Sequence, residues 1–310
     1  MKLHESVDEF RSFSALTAQY KHIPESAVLR DYYIVMLLDN LANSDYADSC
    51  VFKGGTSLSK CYPGSIERFS EDIDLTFLGM DLSDKECDRT IKKIEKAITE
   101  GAETEKIAAE RSDRSKSMWC WFGDKASKIK LEIGSSVRPD PFSKRKVKTY
   151  IQEFLECHNG DDDIEKYELR EVELNVLSIE RTFVDKLMSV KRHALCGTLG
   201  TKVRHIYDVT RLFAMPEIKT FLEDRDNLKK LMTLTKKTDD FYLAKRNLGV
   251  EYEPKGAYDF ESWEDKFSPE IRTVYENLHK DLLYTDEKQN FDDAIRTFTE
   301  INNILKSISE

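Results

Sequence analysis

The chain has 310 residues, of which 40% are hydrophobic and 34% charged, and its formal net charge is −10. This composition supports a folded core and excludes wholesale disorder. The longest apolar run, residues 32–38, is too short to span a membrane, and residues 1–21 lack the apolar region of a secretory signal. We therefore expect a soluble, cytoplasmic protein without a membrane partner, and the negative charge disfavours broad, sequence-independent binding to nucleic acid.

The first elements in the chain are a helix, a short strand and a tight turn. Residues 24–43 carry apolar side chains at helical spacing, and their leading proline suits the first turn of a helix. Residues 50–52 form an apolar run that ends at the glycine pair Gly54 and Gly55, which predicts a strand meeting a turn. Thr56 or Ser57 is expected to cap a short helix that follows.

Later segments predict more strands and then a helical half. Strands are expected over residues 73–79, 119–122, 128–133 and 173–179. A capping box at residues 83–86 opens a helix, and residues 160–163 are predicted to form a loop. From Arg181 onward the pattern is helical almost throughout. The sequence therefore predicts an α+β protein with a strand-rich domain over residues 1–180 and a helical domain over 181–310.

Two aspartates on the strand that begins near residue 72 are the strongest chemical signal. Residues two apart on a strand project from the same face, so Asp72 and Asp74 converge on one side. Two carboxylates so placed can bind a pair of magnesium ions, the arrangement used in two-metal phosphoryl transfer. Glu132 is a natural third ligand if its strand lies beside theirs. The alternative is an ordinary solvent-facing polar edge.

The glycine pair upstream strengthens the chemical interpretation. Glycines permit close backbone approach, and the N–H groups at a helix start form an anion site suited to a triphosphate. Gly54 and Gly55 alone would indicate only a turn. Followed about fifteen residues later by Ser70, Asp72 and Asp74, they indicate nucleotide transfer.

At this point the sequence resembles a known family. Residues 54–58 (GGTSL), 68–75 (RFSEDIDL), 180–187 (ERTFVDKL) and 204–208 (RHIYD) are similar to the AbiEii/AbiGii-type nucleotidyltransferase toxins. These are the toxin halves of bacterial toxin–antitoxin and phage-defence (abortive infection) systems, in the polymerase-β-like nucleotidyltransferase superfamily. The resemblance implies a polymerase-β-like core with a mixed sheet, followed by a helical half that completes the active site and the acceptor surface.

The resemblance also implies roles for individual residues. Asp72 and Asp74 would be catalytic and bind the metal, with Glu132 as a third ligand. Lys186 would neutralise phosphate charge in the transition state, and Asp208 would orient a substrate or that lysine. The residues expected to bind the nucleotide are Gly54, Gly55, Thr56, Ser57, Ser70 and Arg68. Within that set, Thr56 is an alternative to Ser57 for the hydroxyl contact, and Arg68 either contacts substrate or stabilises a turn.

Two segments of positive charge bear on the acceptor. Residues 144–148 hold four Lys or Arg, and residues 181–211 hold seven Lys or Arg against two Asp. Such segments would suit an RNA acceptor, although many basic segments are only solvated helix faces or loops.

The function expected from the sequence is transfer of an NMP from an NTP, with Mg²⁺, to an acceptor hydroxyl. By resemblance the acceptor would be a tRNA or other RNA 3′ end, or a protein, and a cognate antitoxin would restrain the activity. One alternative is a nucleotidyltransferase that modifies a small molecule such as an antibiotic. The other is a catalytically silent nucleotide-binding module that acts through protein partners.

Overall fold

The computed structural model describes residues 1–246, 252–280 and 282–309. The chain divides into two compact units. The first unit comprises Met1–Tyr62 and Phe69–Leu177, and the second comprises Pro63–Arg68 and Ser178–Glu310. The short segment Pro63–Arg68 therefore belongs to the second unit, although its neighbours on both sides in the sequence belong to the first.

The first unit is built on a seven-stranded mixed sheet. Its strands are β1 (Cys50–Lys53), β2 (Asp72–Phe77), β3 (Glu103–Lys106), β4 (Ser115–Trp121), β5 (Ile129–Gly134), β6 (Phe142–Val147) and β7 (Val172–Leu177). The strand order is β3-β4-β5-β2-β1-β7-β6. At the centre, β2 runs antiparallel to β1 and parallel to β5, and β1 runs parallel to β7. The predicted α+β class with a mixed sheet is confirmed.

Helices accompany the sheet in this unit. They are α1 (Val7–Lys21), α2 (Glu25–Ala42), α3 (Gly54–Cys61), α4 (Asp84–Ile98), α5 (Tyr150–Cys157) and α6 (Asp161–Lys166). Phe10 on α1, Tyr32 on α2 and Ile151 on α5 are buried in one hydrophobic cluster, which joins these three helices.

Local sequence accounts for the elements that lie nearest the candidate site. On β5, Ile129, Leu131 and Ile133 are buried on one face while Lys130 and Glu132 share the other, because strand side chains alternate. The same alternation buries Ile73 and Leu75 on β2. Helix α4 begins with the predicted capping box, in which the Ser83 and Glu86 side chains each bond the other residue's backbone N–H.

Some predictions about local structure were wrong. Helix α3 begins at Gly54 rather than after a Thr56 or Ser57 cap, since the turn into it is completed by the left-handed backbone of Gly54. The predicted loop at residues 160–163 is the start of α6, whose first-turn aspartates interact favourably with the helix dipole.

The second unit is helical in its described residues. Its helices are α7 (Ile179–Leu195), α8 (Val203–Phe213), α9 (Pro216–Glu223), α10 (Arg225–Arg246), α11 (Pro269–Glu276) and α12 (Phe291–Ser309). The predicted apolar stripe of the last helix is largely buried, with Phe291, Phe298 and Ile301 fully enclosed. Across the described ranges of both units, no helix is long and apolar enough to cross a membrane.

Candidate active site

The glycine turn between β1 and α3 is shaped around an acidic side chain. Gly54 has a φ of +86°, a left-handed conformation that is readily adopted only by glycine. A Cβ at this position would overlap with the Asp74 carboxylate, which therefore packs directly against the start of α3. Backbone conformation and close approach both require glycine at position 54.

Asp72 and Asp74 lie on one face of β2, where the sequence places them, with Ile73 and Leu75 on the buried face. Both aspartates are half-buried. In the described part of the chain, the Asp74 carboxylate has no hydrogen-bond or ion-pair partner. It is therefore available to a ligand.

The residues opposite the two aspartates are set by strand register. Asp74 lies opposite Lys53 on β1 and Glu132 on β5, and Asp72 lies opposite Lys130 on β5. Residues paired in this way project from the same face of the sheet. The predicted third carboxylate is thus the strand neighbour of Asp74. Lys53 was not predicted as a site residue. The signal that could have found it is its place on β1 directly before the glycine turn, since strand side chains alternate between the two faces of the sheet.

The Glu132 carboxylate is already engaged by a neighbouring cation. Lys130 forms an ion pair with Glu132 and another with Glu110, the second at 2.7 Å. Burial would lower the pKa of Lys130, but hydrogen bonds from its ammonium to these two carboxylates raise it. Among the residues described, no group of three His, Cys, Asp or Glu side chains is placed to hold a metal ion. Asp72 and Asp74 are therefore the acidic pair on which the metal prediction depends.

Hydroxyl groups join α3 to the beginning of β2. The Thr56 hydroxyl donates to the Asp72 carbonyl oxygen at 2.5 Å and lies 3.0 Å from the Ser70 hydroxyl. The Ser57 hydroxyl is fully buried and donates to the Gly54 carbonyl oxygen at 3.0 Å. Thr56 and Ser57 thus hold the turn and the strand together through contacts within the chain, and their predicted contact with nucleotide remains a prediction.

Arg68, Lys186 and Asp208 come together as a buried ionic triad in the second unit. The Arg68 guanidinium donates from Nε to Asp208 Oδ1 at 2.6 Å and from Nη2 to Oδ2 at 2.7 Å. The Lys186 ammonium donates to the same Oδ2 at 2.7 Å. Arg68 is 2% exposed and Asp208 is fully buried. Three residues predicted separately as site residues are therefore direct partners.

The triad sets the protonation of its members. Burial would raise the pKa of Asp208, but the charges of Arg68 and Lys186 outweigh it and hold that pKa well below its usual range. Burial lowers the pKa of Lys186, and Asp208 offsets this effect only in part because Arg68 repels the ammonium. With both bases protonated, the triad carries one excess positive charge.

The first basic segment, residues 144–148, is strand β6 and its end. Lys144 pairs with Asp48 at 2.6 Å, and Lys146 pairs with Glu171 at 2.7 Å. These lysines therefore have acidic partners within the chain, which weakens the sequence argument for an RNA-binding face at this edge of the sheet.

The second basic segment, residues 181–211, is also largely engaged inside the protein. Arg181 is fully buried and pairs with Asp185 at 2.8 Å. Lys191 is buried and its ammonium donates to the Ala257 carbonyl oxygen at 2.6 Å. Arg181 and Lys191 therefore act inside the protein and do not contribute to a cationic surface.

A glycine turn packed against Asp74, with Asp72 on the same face of the strand, is the class of site that suits nucleotide transfer. The family model "Nucleotidyl transferase AbiEii toxin, Type IV TA system" matches residues 36–297, and the chain belongs to this family. It is accordingly a nucleotidyltransferase and a toxin of a type IV toxin–antitoxin system. Membership implies an NTP substrate and a cognate antitoxin.

Solved structures give weaker similarities. MenT4, a nucleotidyltransferase toxin from Mycobacterium tuberculosis H37Rv, is 17% identical with a TM-score of 0.49, over 95% of this chain and 98% of that one. The crystal structure of a candidate nucleotidyltransferase from H. pylori is 19% identical with a TM-score of 0.39, over 83% and 98% of the two chains. No curated protein matches the sequence. These values assign no residue role in this chain.

Proposed function

We propose that the chain transfers an NMP from an NTP to an acceptor hydroxyl, with pyrophosphate leaving, and that the acceptor is an RNA 3′ end, as the family resemblance implies. The observation that carries the transfer chemistry is the packing of the Asp74 carboxylate against Gly54 at the start of α3. It places an unpartnered carboxylate beside a helix start, so acidic groups and backbone N–H donors are available at the same place. Metal-bound phosphates need both kinds of group.

The backbone of the glycine turn would hold the triphosphate. Helix α3 has no side-chain cap from Lys53 among the described residues, and the N–H groups of a helix's first turn lack intrahelical acceptors. Gly54 and Gly55 keep this backbone accessible because they have no side chains. The hydroxyls of Thr56, Ser57 and Ser70 would then act mainly by fixing the turn to β2, as their hydrogen bonds suggest.

The residues present suit a magnesium ion. Asp72 and Asp74 offer hard oxygen ligands from one face of a strand, and magnesium prefers a few carboxylates together with substrate phosphate oxygens. A bound magnesium would polarise the phosphate and help to activate the acceptor hydroxyl. Asp72 and Asp74 would hold the ion, and Glu132 would join them only if it left Lys130.

Lys186 is proposed to neutralise phosphate charge, and Asp208 to orient Lys186. The 2.7 Å hydrogen bond between them supports the second role. The excess positive charge of the triad supports the first, because a buried cation without full compensation gains from a nearby anion. An arginine and a lysine sharing one carboxylate would therefore keep Lys186 attractive to phosphate.

The decisive experiment tests transfer and acceptor together. The protein is incubated with each α-labelled NTP, Mg²⁺ and either total tRNA, a cell lysate or small hydroxyl compounds, with Asp74→Asn as the inactive control. We expect label on RNA with wild type only, and RNA affinity that falls steeply as salt is raised. Label on protein or on a small molecule would overturn the RNA acceptor. Failure of every NTP to label any acceptor would instead favour the silent nucleotide-binding module.

A further inference from the structure

The segment Pro63–Arg68 occupies an unusual place in the chain. It connects α3, which begins with the glycine turn, to the stretch that carries Ser70, Asp72 and Asp74. It nevertheless belongs to the second unit. Both halves of the nucleotide motif therefore lie next in sequence to a segment whose position is set by other residues.

Backbone contacts hold this segment inside the second unit. The Tyr284 N–H donates to the Glu67 carbonyl oxygen at 3.0 Å, and Arg68 forms an antiparallel bridge with Leu283. Ser65 and Ile66 are buried as well. A connection with this much burial and backbone pairing is an ordered part of the unit rather than a loose surface loop.

The Arg68–Asp208 ion pair is the strongest of these contacts. Its two parallel hydrogen bonds use the planar fork of the guanidinium, a geometry that a lysine cannot reproduce. Both groups are buried, so removing either one leaves an uncompensated charge away from water. The pair fixes Arg68, which is two residues before Ser70.

We propose that Arg68 and Asp208 are positioning residues for nucleotide transfer: their ion pair anchors segment 63–68 and thereby fixes the start of β2, which carries Asp72. This inference rests on the proposed function, and it gives Asp208 a second role beside the orientation of Lys186. Arg68 directs its Nε and Nη2 at Asp208, so it is bound within the chain rather than presented to substrate. Asp208 acts on the acidic strand through Arg68 and the intervening backbone.

The anchor has a chemical consequence for catalysis. Metal and substrate ligands must be held close to their productive positions, and a displacement of about 1 Å far from the reacting atoms can cost about 10²-fold in rate. The Asp72 carbonyl oxygen accepts the Thr56 hydroxyl, so movement at the start of β2 would also disturb α3. Loosening segment 63–68 should thus impair both halves of the nucleotide motif.

The test compares Arg68→Lys, Asp208→Asn, the double variant and Asp239→Asn in the full-length protein. Asp239 supplies a matched control, because it is a buried carboxylate in the same unit whose partners, Arg192 and Tyr252, lie outside segment 63–68. Amide hydrogen exchange is followed in peptides that cover residues 63–76. We expect exchange there to rise at least about tenfold in the first three variants, since a charge-assisted bond is lost, and to stay unchanged in Asp239→Asn.

Kinetics at saturating NTP provide the second measurement. We expect kcat to fall by about 10²-fold in Arg68→Lys, and at least as far in Asp208→Asn and the double variant, because all three break the anchor and loss of Asp208 also releases Lys186. Unchanged exchange over residues 63–76 in both single variants would overturn the proposal. So would loss of kcat in Asp208→Asn with normal kcat in Arg68→Lys, which would give Asp208 a direct role.

The exchange measurement does not depend on enzymatic activity. If wild type transferred no nucleotide to any acceptor, the proposed function would fail, and the exchange data would still support or reject the anchor. Arg68→Lys keeps the positive charge and is the variant most certain to fold. Its exchange and kcat can therefore be compared with those of Asp239→Asn even if Asp208→Asn does not fold.

Discussion

Asp74 and Asp208 are both aspartates in charged clusters, but their surroundings are opposite. Asp74 is half-buried, lies against a glycine and has no ion-pair partner within the described residues. Asp208 is fully buried and accepts hydrogen bonds from both Arg68 and Lys186. A carboxylate without an internal partner is open to a metal, whereas a carboxylate shared by two buried cations holds those cations in place. The comparison therefore separates a side chain that a ligand could reach from one that is engaged inside the protein.

The largest effect is expected from Asp74→Asn. Loss of a metal ligand should remove several kcal/mol of transition-state stabilisation, or on the order of 10³-fold in transfer rate. The melting temperature should stay unchanged or rise, because clustered carboxylates repel each other without metal. Label transfer and thermal unfolding check both statements. The exposed Asp81→Asn is the control, and marked destabilisation by Asp74→Asn would give Asp74 a structural role instead.

Asp208→Asn should destabilise the protein, in contrast to Asp74→Asn. Removing the shared anion leaves two buried cations, which we expect to lower the free energy of unfolding by about 3–5 kcal/mol. Urea unfolding measures the change. Asp292→Asn breaks the exposed Arg272–Asp292 pair and should have almost no effect. Equal losses of stability in Asp74→Asn and Asp208→Asn would contradict the distinction between these two aspartates.

Gly54→Ala tests the contact that brings Asp74 to the helix start. A side chain at positive φ should cost about 1–2 kcal/mol, and the overlap with Asp74 should add to it and displace the carboxylate. Gly101→Ala is the matched control, because Gly101 has a φ of +81° but open space around its position. We expect transfer to be lost only in Gly54→Ala. Equal stability and equal activity of the two variants would show that the close contact is unimportant.

The smallest effect concerns Lys191 and pH. Burial, reinforced by the charge of Lys236, lowers the pKa of Lys191 to about 8. An unfolded lysine has a pKa of about 10.4, so between these values the unfolded state binds more protons and this residue makes stability rise with pH. Below about pH 8 both states are protonated and this slope disappears.

Lys191→Met should remove that contribution. The free energy of unfolding is measured in urea from pH 7 to pH 10 for wild type and variant. We expect the variant to be more stable near pH 7 and the difference to shrink as pH rises. A difference that is constant with pH would show that Lys191 titrates normally in the folded protein.

Much of the fold follows from short-range patterns. The alternation in β2 and β5, the capping box of α4 and the glycine turn before α3 are each contained within a few residues. Such patterns depend on backbone geometry, which neighbouring residues fix. The start of α6 was missed because Asp161–Lys166 has the polar composition of a loop and few apolar residues to show a helical period.

The sequence predicted which residues lie at the candidate site better than it predicted their contacts. Asp72 and Asp74 share a face of β2, and Glu132 lies in register with Asp74. Two contacts could not be derived from the sequence: the ion pair between Lys130 and Glu132, and the hydrogen bond from the Thr56 hydroxyl to the Asp72 carbonyl oxygen. These partners meet only after the strands and helices have packed. The internal partners of Arg181 and Lys191 could not be derived for the same reason.

The sequence by itself determined the reaction class, because a glycine turn and an acidic strand at fixed spacing leave few alternatives, and the family match agrees. Only the tertiary structure decided which charges are available and which are used internally. Arg68 and Asp208 are 140 residues apart in the chain and meet as a buried, bidentate pair. Ion pairing depends on distance in space and on exclusion of water, and neither is encoded in local sequence.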